Sequence, residues 1–155
     1  MAEDTNQLRV RLVTPERTLF EADASAVELP SKSGYMEVLY GHAPLVAELG
    51  AGDVTIHGVA DHGAAGAASA GPDGVTRYNV SWGFVEVLPG RVTILASDAL
   101  KPEEIDVQRA EQQLDRGLHL WKQAGESEAA YDEALRVISE AEAKMASAAE
   151  VTKTP

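Results

Sequence analysis

The chain has 155 residues, of which 45% are apolar, enough for one ordinary domain or two small ones with a buried core. Its 25 acidic residues outnumber its 13 basic residues, and the net charge of −12 argues against nucleic acid as a partner, because proteins bind phosphate through Lys and Arg. The absence of cysteine excludes disulfides, thiol nucleophiles and cysteine-based zinc sites.

Membrane insertion and export signals are not expected from this sequence. No apolar run reaches the roughly 18 residues of a membrane span, and the acidic N-terminus, residues 1–5, is unlike a signal peptide or a transit peptide. We therefore expect a soluble, acidic globular protein.

The composition changes near residue 100 and predicts two domains. Residues 1–101 hold 11 of the 13 glycines, and the remainder is rich in Ala, Glu, Gln and Leu. Strand formers and turn formers thus give way to helix formers. We predict an all-β sandwich over residues 1–98 and a helix-turn-helix over residues 99–155.

Short alternating segments predict the first strands, at residues 8–12, 27–29, 35–39 and 54–56. We expect the second of these strands to stop at Pro30. The turn formers at residues 50–53 are expected to launch the fourth strand. The Gly/Ala-rich stretch at residues 57–75 predicts a hairpin with a long tip.

The next strand contains an irregularity. Tyr78, Val80, Trp82 and Phe84 alternate with polar or small residues, but the alternation loses its phase beside Gly83. This predicts a bulge or burial on both faces. A tight turn at residues 89–90 and a returning strand at 92–94 follow. Many short strands with frequent turns predict a sandwich or a barrel.

The last third of the chain predicts an antiparallel helical hairpin. Pro102 suits the first position of a helix, and the first apolar stripe is Ile105, Ala110, Leu114, Leu118 and Trp121. Ser127 is expected to cap the second helix, whose stripe is Ala130, Ala134, Ile138, Ala141, Met145 and Ala148. Because many of these residues are alanine, we expect the helices to approach each other closely.

Motifs of catalysis are absent from the sequence, so we expect no catalytic residue and no metal site. His57, Asp61 and His62 are interpreted as a solvated loop, with a metal-dependent enzyme as the weaker alternative. His42 follows Gly41 and is interpreted as a turn histidine rather than a catalytic base.

A resemblance appears at residues 34–45 (GYMEVLYGHAPL) and continues through Leu49, residues 52–54 and Ile56. It resumes at residues 83–87 (GFVEV), 92–99 (VTILASDA) and 105–110 (IDVQRA). Together and in this order, these blocks resemble the small rotor-stalk subunit of F-type ATP synthases. That subunit is called epsilon in bacteria and chloroplasts and delta in mitochondria.

The resemblance implies a β-sandwich, a C-terminal helix-turn-helix and a non-catalytic role in the central stalk. The expected partners are the γ subunit and the ring of c subunits, and the helices are a further contact for the α and β subunits. The subunit would couple ion-driven rotation of the ring, by protons or sodium, to ATP synthesis. It would lie peripherally on the cytoplasmic face of a bacterial inner membrane.

Two segments take an interface role from the resemblance. The loop Ser31, Lys32, Ser33, Gly34 and Tyr35 corresponds to the one that approaches the c ring. Gly41 and His42 correspond to a turn near γ.

A candidate ATP site also follows from the resemblance, because Ile105, Asp106, Arg109 and Ala110 match the motif through which bacterial members bind ATP. Arg109 and Arg116 are two helical turns apart on one face, so both could meet a triphosphate. Asp106 and Arg109 could equally form an ordinary i,i+3 pair. ATP would be a regulatory ligand and no cofactor is required. The alternative function is a free-standing nucleotide-sensing module.

The charge of the second helix bears on regulation. In some bacterial members the hairpin extends and inhibits ATP hydrolysis, with basic residues on this helix meeting an acidic segment of β. Here residues 126–150 contain seven acidic residues against Arg136 and Lys144. Since like charges oppose such docking, we expect inhibition by an extended arm to be weak or differently built.

Overall fold

The computed structural model describes residues 6–59 and 74–153. Seven strands, one 3-10 turn and two α-helices follow one another in these ranges. The chain divides into two compact units, Met1–Ala99 and Leu100–Pro155. The strands build the first unit and the helices build the second, so the predicted β-sandwich followed by a helical hairpin is confirmed.

The strands of the first unit form one continuous sheet in the order β2-β1-β7-β6-β5-β3-β4. Strands β1 and β7 run parallel, whereas β1–β2, β3–β4, β3–β5 and β5–β6 are antiparallel pairs. The strands are β1 Leu8–Val13, β2 Thr18–Ala24, β3 Ala26–Ser31, β4 Gly34–Leu39, β5 Leu45–His57, β6 Val75–Leu88 and β7 Arg91–Leu100.

The core of the sandwich is built from the inward-facing residues of these strands. In β1, Leu8, Val10 and Leu12 are fully buried. Arg9 faces outward and forms ion pairs with Glu21 and Asp23 on β2. The alternation that predicted this strand therefore arises from one buried face and one solvated face. The largest buried side chains are Tyr78, Phe20, Leu8, Leu12, Leu29, Leu49, Ile56 and Ile94.

Strands β5 and β6 change their buried face where Leu49 pairs with Gly83. In β6 the backbone has positive φ at Trp82 (55°) and at Gly83 (124°). Thr76, Tyr78 and Val80 are buried before this point, and Val85 and Val87 after it. Asn79 and Ser81 are buried as well, so both faces of β6 are buried before Gly83, whereas at Gly83 itself the strand exchanges one buried face for the other. Phe84, grouped by sequence with Tyr78 and Val80, instead faces outward.

Two predictions about strand ends were wrong. Strand β3 continues through Pro30 to Ser31. The pairing of β3 with β5 is irregular between Glu28 and Ser31, so the missing N–H of Pro30 interrupts no regular pairing with β5. Residues 50–53 are not a turn but the middle of β5. The glycines of this segment allow the β3–β4 hairpin to approach β5 closely. In the sequence, glycines that serve close packing look the same as glycines that form a turn.

The start of the first helix also differs from the prediction. Pro102–Glu104 forms a separate 3-10 turn, and Ile105 is extended (φ −73°, ψ 123°). Helix α1, Val107–Gln123, begins only after Asp106, whose side chain caps it. Helix α2 is Glu128–Lys153. The predicted Ser127 cap is confirmed, since its Oγ accepts a hydrogen bond from the Ala130 N–H at 3.3 Å.

The two helices pack closely at Gly117. A Cβ at this position would lie 2.7 Å from Ile138 Cγ1 and 3.1 Å from the Ile138 nitrogen. Ala110 and Gly117 are the buried residues of α1, whereas Leu118 and Trp121 of the predicted stripe are about 40% exposed. Ile105 and Ala110 of the stripe are buried as predicted, but its second half was misplaced, because a buried glycine carries no hydrophobic signal. In α2, Ala134, Ala141 and Ala148 are buried as predicted.

Strands β5 and β6 pair at His57 and Val75, as the predicted hairpin requires. Its tip, together with Asp61 and His62, lies outside the described residues. In the part of the chain that the structure describes, neither helix has the length and apolar character needed to cross a membrane.

Candidate functional site

The loop predicted to approach the c ring is the turn of the β3–β4 hairpin. The Ser31 Oγ donates a 2.6 Å hydrogen bond to the Gly34 carbonyl and accepts one from the Ser33 N–H at 3.3 Å. The turn is therefore closed by its own side chain. Lys32, Ser33, Gly34 and Tyr35 are exposed, so this loop can contact a partner.

Strand β5 holds this loop at two points. The Lys32 N–H donates to the Glu48 carbonyl at 2.9 Å, and Lys32 Nζ lies 3.2 Å from Glu48 Oε2. At the other side the Tyr35 hydroxyl accepts a hydrogen bond from the Asp53 N–H at 3.0 Å. The loop is thus exposed and fixed at the same time.

The second predicted interface segment, Gly41 and His42, forms a turn after β4. The Gly41 N–H donates to the Pro89 carbonyl at 2.6 Å, and the His42 N–H donates to the Leu39 carbonyl at 3.1 Å. His42 Nδ1 lies 2.7 Å from the Ala43 carbonyl. These bonds confirm the interpretation of His42 as a turn histidine and join its turn to the one between β6 and β7.

An apolar surface that sequence reasoning missed lies on the outward face of β5, β6 and β7. It consists of Val46, Phe84 and Leu95, which are 69%, 53% and 49% exposed, and we call it the outer apolar patch. Phe84 pairs with Glu48, and Val46 with Glu86, so the first two lie diagonally across neighbouring strands. The available signal was the breakdown of alternation beside Gly83.

Of the candidate ATP residues, Asp106 is the N-cap of α1, and Arg109 and Arg116 lie within the helix. The Asp106 carboxylate caps the helix by accepting a hydrogen bond from the Arg109 N–H at 3.2 Å. Arg109 and Arg116 are both exposed, two turns apart on this helix. The cap accounts for Asp106 without a ligand, and the assignment of the two arginines to ATP stays a prediction.

His57 has a partner within the sandwich. Its Nε2 lies 3.1 Å from Glu28 Oε2 on the neighbouring strand β3. Among residues 6–59 and 74–153 there is no group of three or more His, Asp or Glu side chains that could hold a metal ion. The metal alternative also invoked His62, which is not among these residues.

Comparison with known proteins identifies the family. The model of the ATP synthase delta/epsilon chain, β-sandwich domain, matches residues 7–102. The chain belongs to the ATP synthase delta/epsilon family. The match covers the sandwich of this family member and ends before α1, so it carries no information on the helical hairpin.

Individual relatives agree with this assignment. The ATP synthase epsilon chain of Koribacter versatilis is 40% identical over 102 residues, which are 65% of this chain and 62% of that protein. The epsilon chain of Solibacter usitatus is 38% identical over 111 residues, or 70% and 72% of the two chains. The chloroplastic epsilon chain of Chlamydomonas reinhardtii is 35% identical over 103 residues, 66% and 68%. The alignment thus spans less than two thirds of the Koribacter relative.

A solved structure supports the fold. A chain of the Euglena gracilis mitochondrial ATP synthase, from an assembly of OSCP, F1 and c-ring, superposes with a TM-score of 0.69 at 22% identity. The superposition covers 91% of this chain and 81% of that one. Sandwich and hairpin therefore recur together in a chain of distant sequence.

Proposed function

We propose that this protein is a non-catalytic subunit of the central stalk of an F-type ATP synthase. It binds the γ subunit, rests on the ring of c subunits and couples rotation of the ring to ATP synthesis. The observation that carries the proposal is the family match over residues 7–102, which covers both predicted interface segments. By this role the protein is held peripherally at the cytoplasmic face of a bacterial inner membrane through its partners.

The surface of the sandwich supports two separate contacts. The outer apolar patch suits γ, because exposed apolar side chains on a folded domain commonly mark a protein interface. The turn at Gly41 and His42 leads directly into β5, which carries Val46, and this supports γ on the same side. The loop of residues 31–35 is a polar turn with one exposed tyrosine and suits the polar loops of a membrane ring.

Reconstitution tests the proposed function. The full chain is added to ATP synthase membranes depleted of their epsilon subunit, and binding and ATP-driven ion pumping are measured. We expect binding and restored pumping. Co-expression with γ and the c subunits, followed by purification of γ, is the second measurement. If the chain associates with neither γ nor the ring, the proposal is wrong.

The outer apolar patch has its own test within that experiment. Phe84→Glu places a charge in the proposed γ contact, and we expect affinity for the F1 part to fall about tenfold or more. Leu135→Glu is the control, because Leu135 on α2 is 42% exposed and lies outside the patch. Equal affinities for the two variants would remove the patch from the γ interface.

A further inference from the structure

We propose that Tyr35 is the anchoring side chain of the contact with the membrane ring, and that Gly52 and Asp53 on β5 position it. The inference rests on the proposed function, which assigns the loop of residues 31–35 to that contact. It adds which side chain carries the contact and which residues of another strand hold that side chain.

Tyr35 has the properties of an anchor. The residue is 66% exposed, yet its hydroxyl is held by the Asp53 N–H at 3.0 Å. A tyrosine offers a large, amphipathic contact surface and has only two side-chain torsions to immobilise. Here one end of the side chain is already fixed before a partner arrives. Preorganisation of this kind raises affinity because less conformational freedom is lost on binding.

The space for Tyr35 exists because residue 52 is glycine. A Cβ at Gly52 would meet the Tyr35 hydroxyl, and it would lie 3.1 Å from Tyr35 Cζ and 3.0 Å from Pro30 Cβ. Two residues earlier in β5, a Cβ at Gly50 would lie 3.1 Å from the Ser31 carbonyl oxygen. These two glycines let the β3–β4 hairpin lie directly on β5, so any side chain at residue 52 would displace the tyrosine.

Asp53 ties the position of Tyr35 to the core. While its N–H holds the hydroxyl, its Oδ1 accepts a 3.0 Å hydrogen bond from Asn79 Nδ2. Asn79 lies on β6 and is 3% exposed. Hydrogen bonds thus connect the exposed Tyr35 side chain, through Asp53, to the buried side chain of Asn79. Together with the bond from Lys32 to Glu48, it fixes both sides of the loop.

The test compares affinity for two forms of the enzyme, both lacking their epsilon subunit: F1 alone, which has γ but no ring, and the complete enzyme in membranes. Tyr35→Ala should weaken binding to the complete enzyme about tenfold and leave binding to F1 unchanged. Tyr35→Phe keeps the aromatic side chain but loses the fixed hydroxyl, and we expect its affinity for the complete enzyme to fall about threefold. Tyr131→Ala, an aromatic residue of the helical hairpin, is the control and should change neither affinity.

Gly52 is tested by a double-mutant cycle. Gly52→Ala should weaken binding to the complete enzyme. The double variant Gly52→Ala/Tyr35→Ala should bind no more weakly than Tyr35→Ala alone, because Gly52 acts through the Tyr35 side chain. Additive losses would overturn the positioning role, and so would full binding by Gly52→Ala. Thermal unfolding of each variant identifies those that do not fold, and the Tyr35 variants decide the proposal if Gly52→Ala is among them.

The outcomes separate this inference from the proposed function. If the unaltered chain binds neither F1 nor the complete enzyme, the proposed function is wrong. If it binds both, and Tyr35→Ala binds the complete enzyme as tightly as the unaltered chain does, only the anchoring role of Tyr35 is overturned.

Discussion

Gly83 shows how one residue sets the course of a strand. Its φ is 124°, and a Cβ there would collide with the Leu95 carbonyl oxygen on β7. Glycine is therefore required for its backbone conformation and for its lack of a side chain. With Trp82 it reverses the buried face of β6, and this reversal turns Phe84 outward into the outer apolar patch.

Replacing Gly83 by alanine should destabilise the sandwich strongly. We expect a loss of about 3 kcal/mol or more, because backbone strain of about 1–3 kcal/mol adds to a clash with main-chain atoms of β7. The measurement is the free energy of unfolding in urea. Gly34→Ala is the matched control, since Gly34 has a φ of 129° and nothing within 4 Å of an added Cβ. Equal losses would show that the clash with Leu95 contributes nothing.

At the scale of elements, the hairpin depends on the close approach of α1 and α2. Gly117→Val would improve intrinsic helix propensity but would place methyl groups where Val137 and Ile138 now pack. We expect the helices to separate locally, with amide hydrogen exchange in both helices faster by about tenfold. Gln112→Ala, at an exposed position of α1, should leave exchange unchanged. Unaltered exchange in Gly117→Val would contradict the close packing.

The ATP prediction concerns Arg109 and Arg116 of α1. We expect MgATP to bind the isolated full chain, and Arg109→Ala or Arg116→Ala each to weaken binding about tenfold, because each guanidinium is a charged donor to phosphate. Arg17→Ala, at an exposed position between β1 and β2, is the control. Isothermal titration measures the affinity. Absence of binding by the unaltered chain would leave Asp106 and Arg109 with only the capping role that the structure shows.

Sequence patterns predicted most elements because alternation and helix formers report which side chains are buried. They failed where one residue type serves two purposes. Gly50 and Gly52 have the composition of a turn but permit strand packing, and Pro102 has the position of a helix start although Asp106 provides the stronger cap. The predicted interface loop could be found by resemblance alone. The hydrogen bond from Asp53 to Tyr35 joins residues 18 positions apart. A local sequence pattern therefore cannot predict it.

At the scale of the whole molecule, the net charge of −12 bears on the protein's partners as well as on nucleic acid binding. A protein that reaches a membrane through its partners needs no basic surface. The excess of acid on α2 has a more specific consequence, since an arm that docks on an acidic segment of β would need the opposite charge. The ion pair between Lys144 and Glu140 further engages one of the few cations on this helix.

Deleting residues 126–155 from the assembled enzyme should therefore change ATP hydrolysis little, by less than about twofold, because like charges oppose docking of the arm. The complementary variant replaces Asp132, Glu133 and Glu142, all exposed on α2, with lysine. It should inhibit hydrolysis more than the unaltered chain does, and increasingly so at low salt, where charge attraction is less screened. Steady-state hydrolysis by reconstituted enzyme measures both effects. A large rise in hydrolysis on deletion would show that the acidic helix inhibits despite its charge, through contacts other than charge pairs.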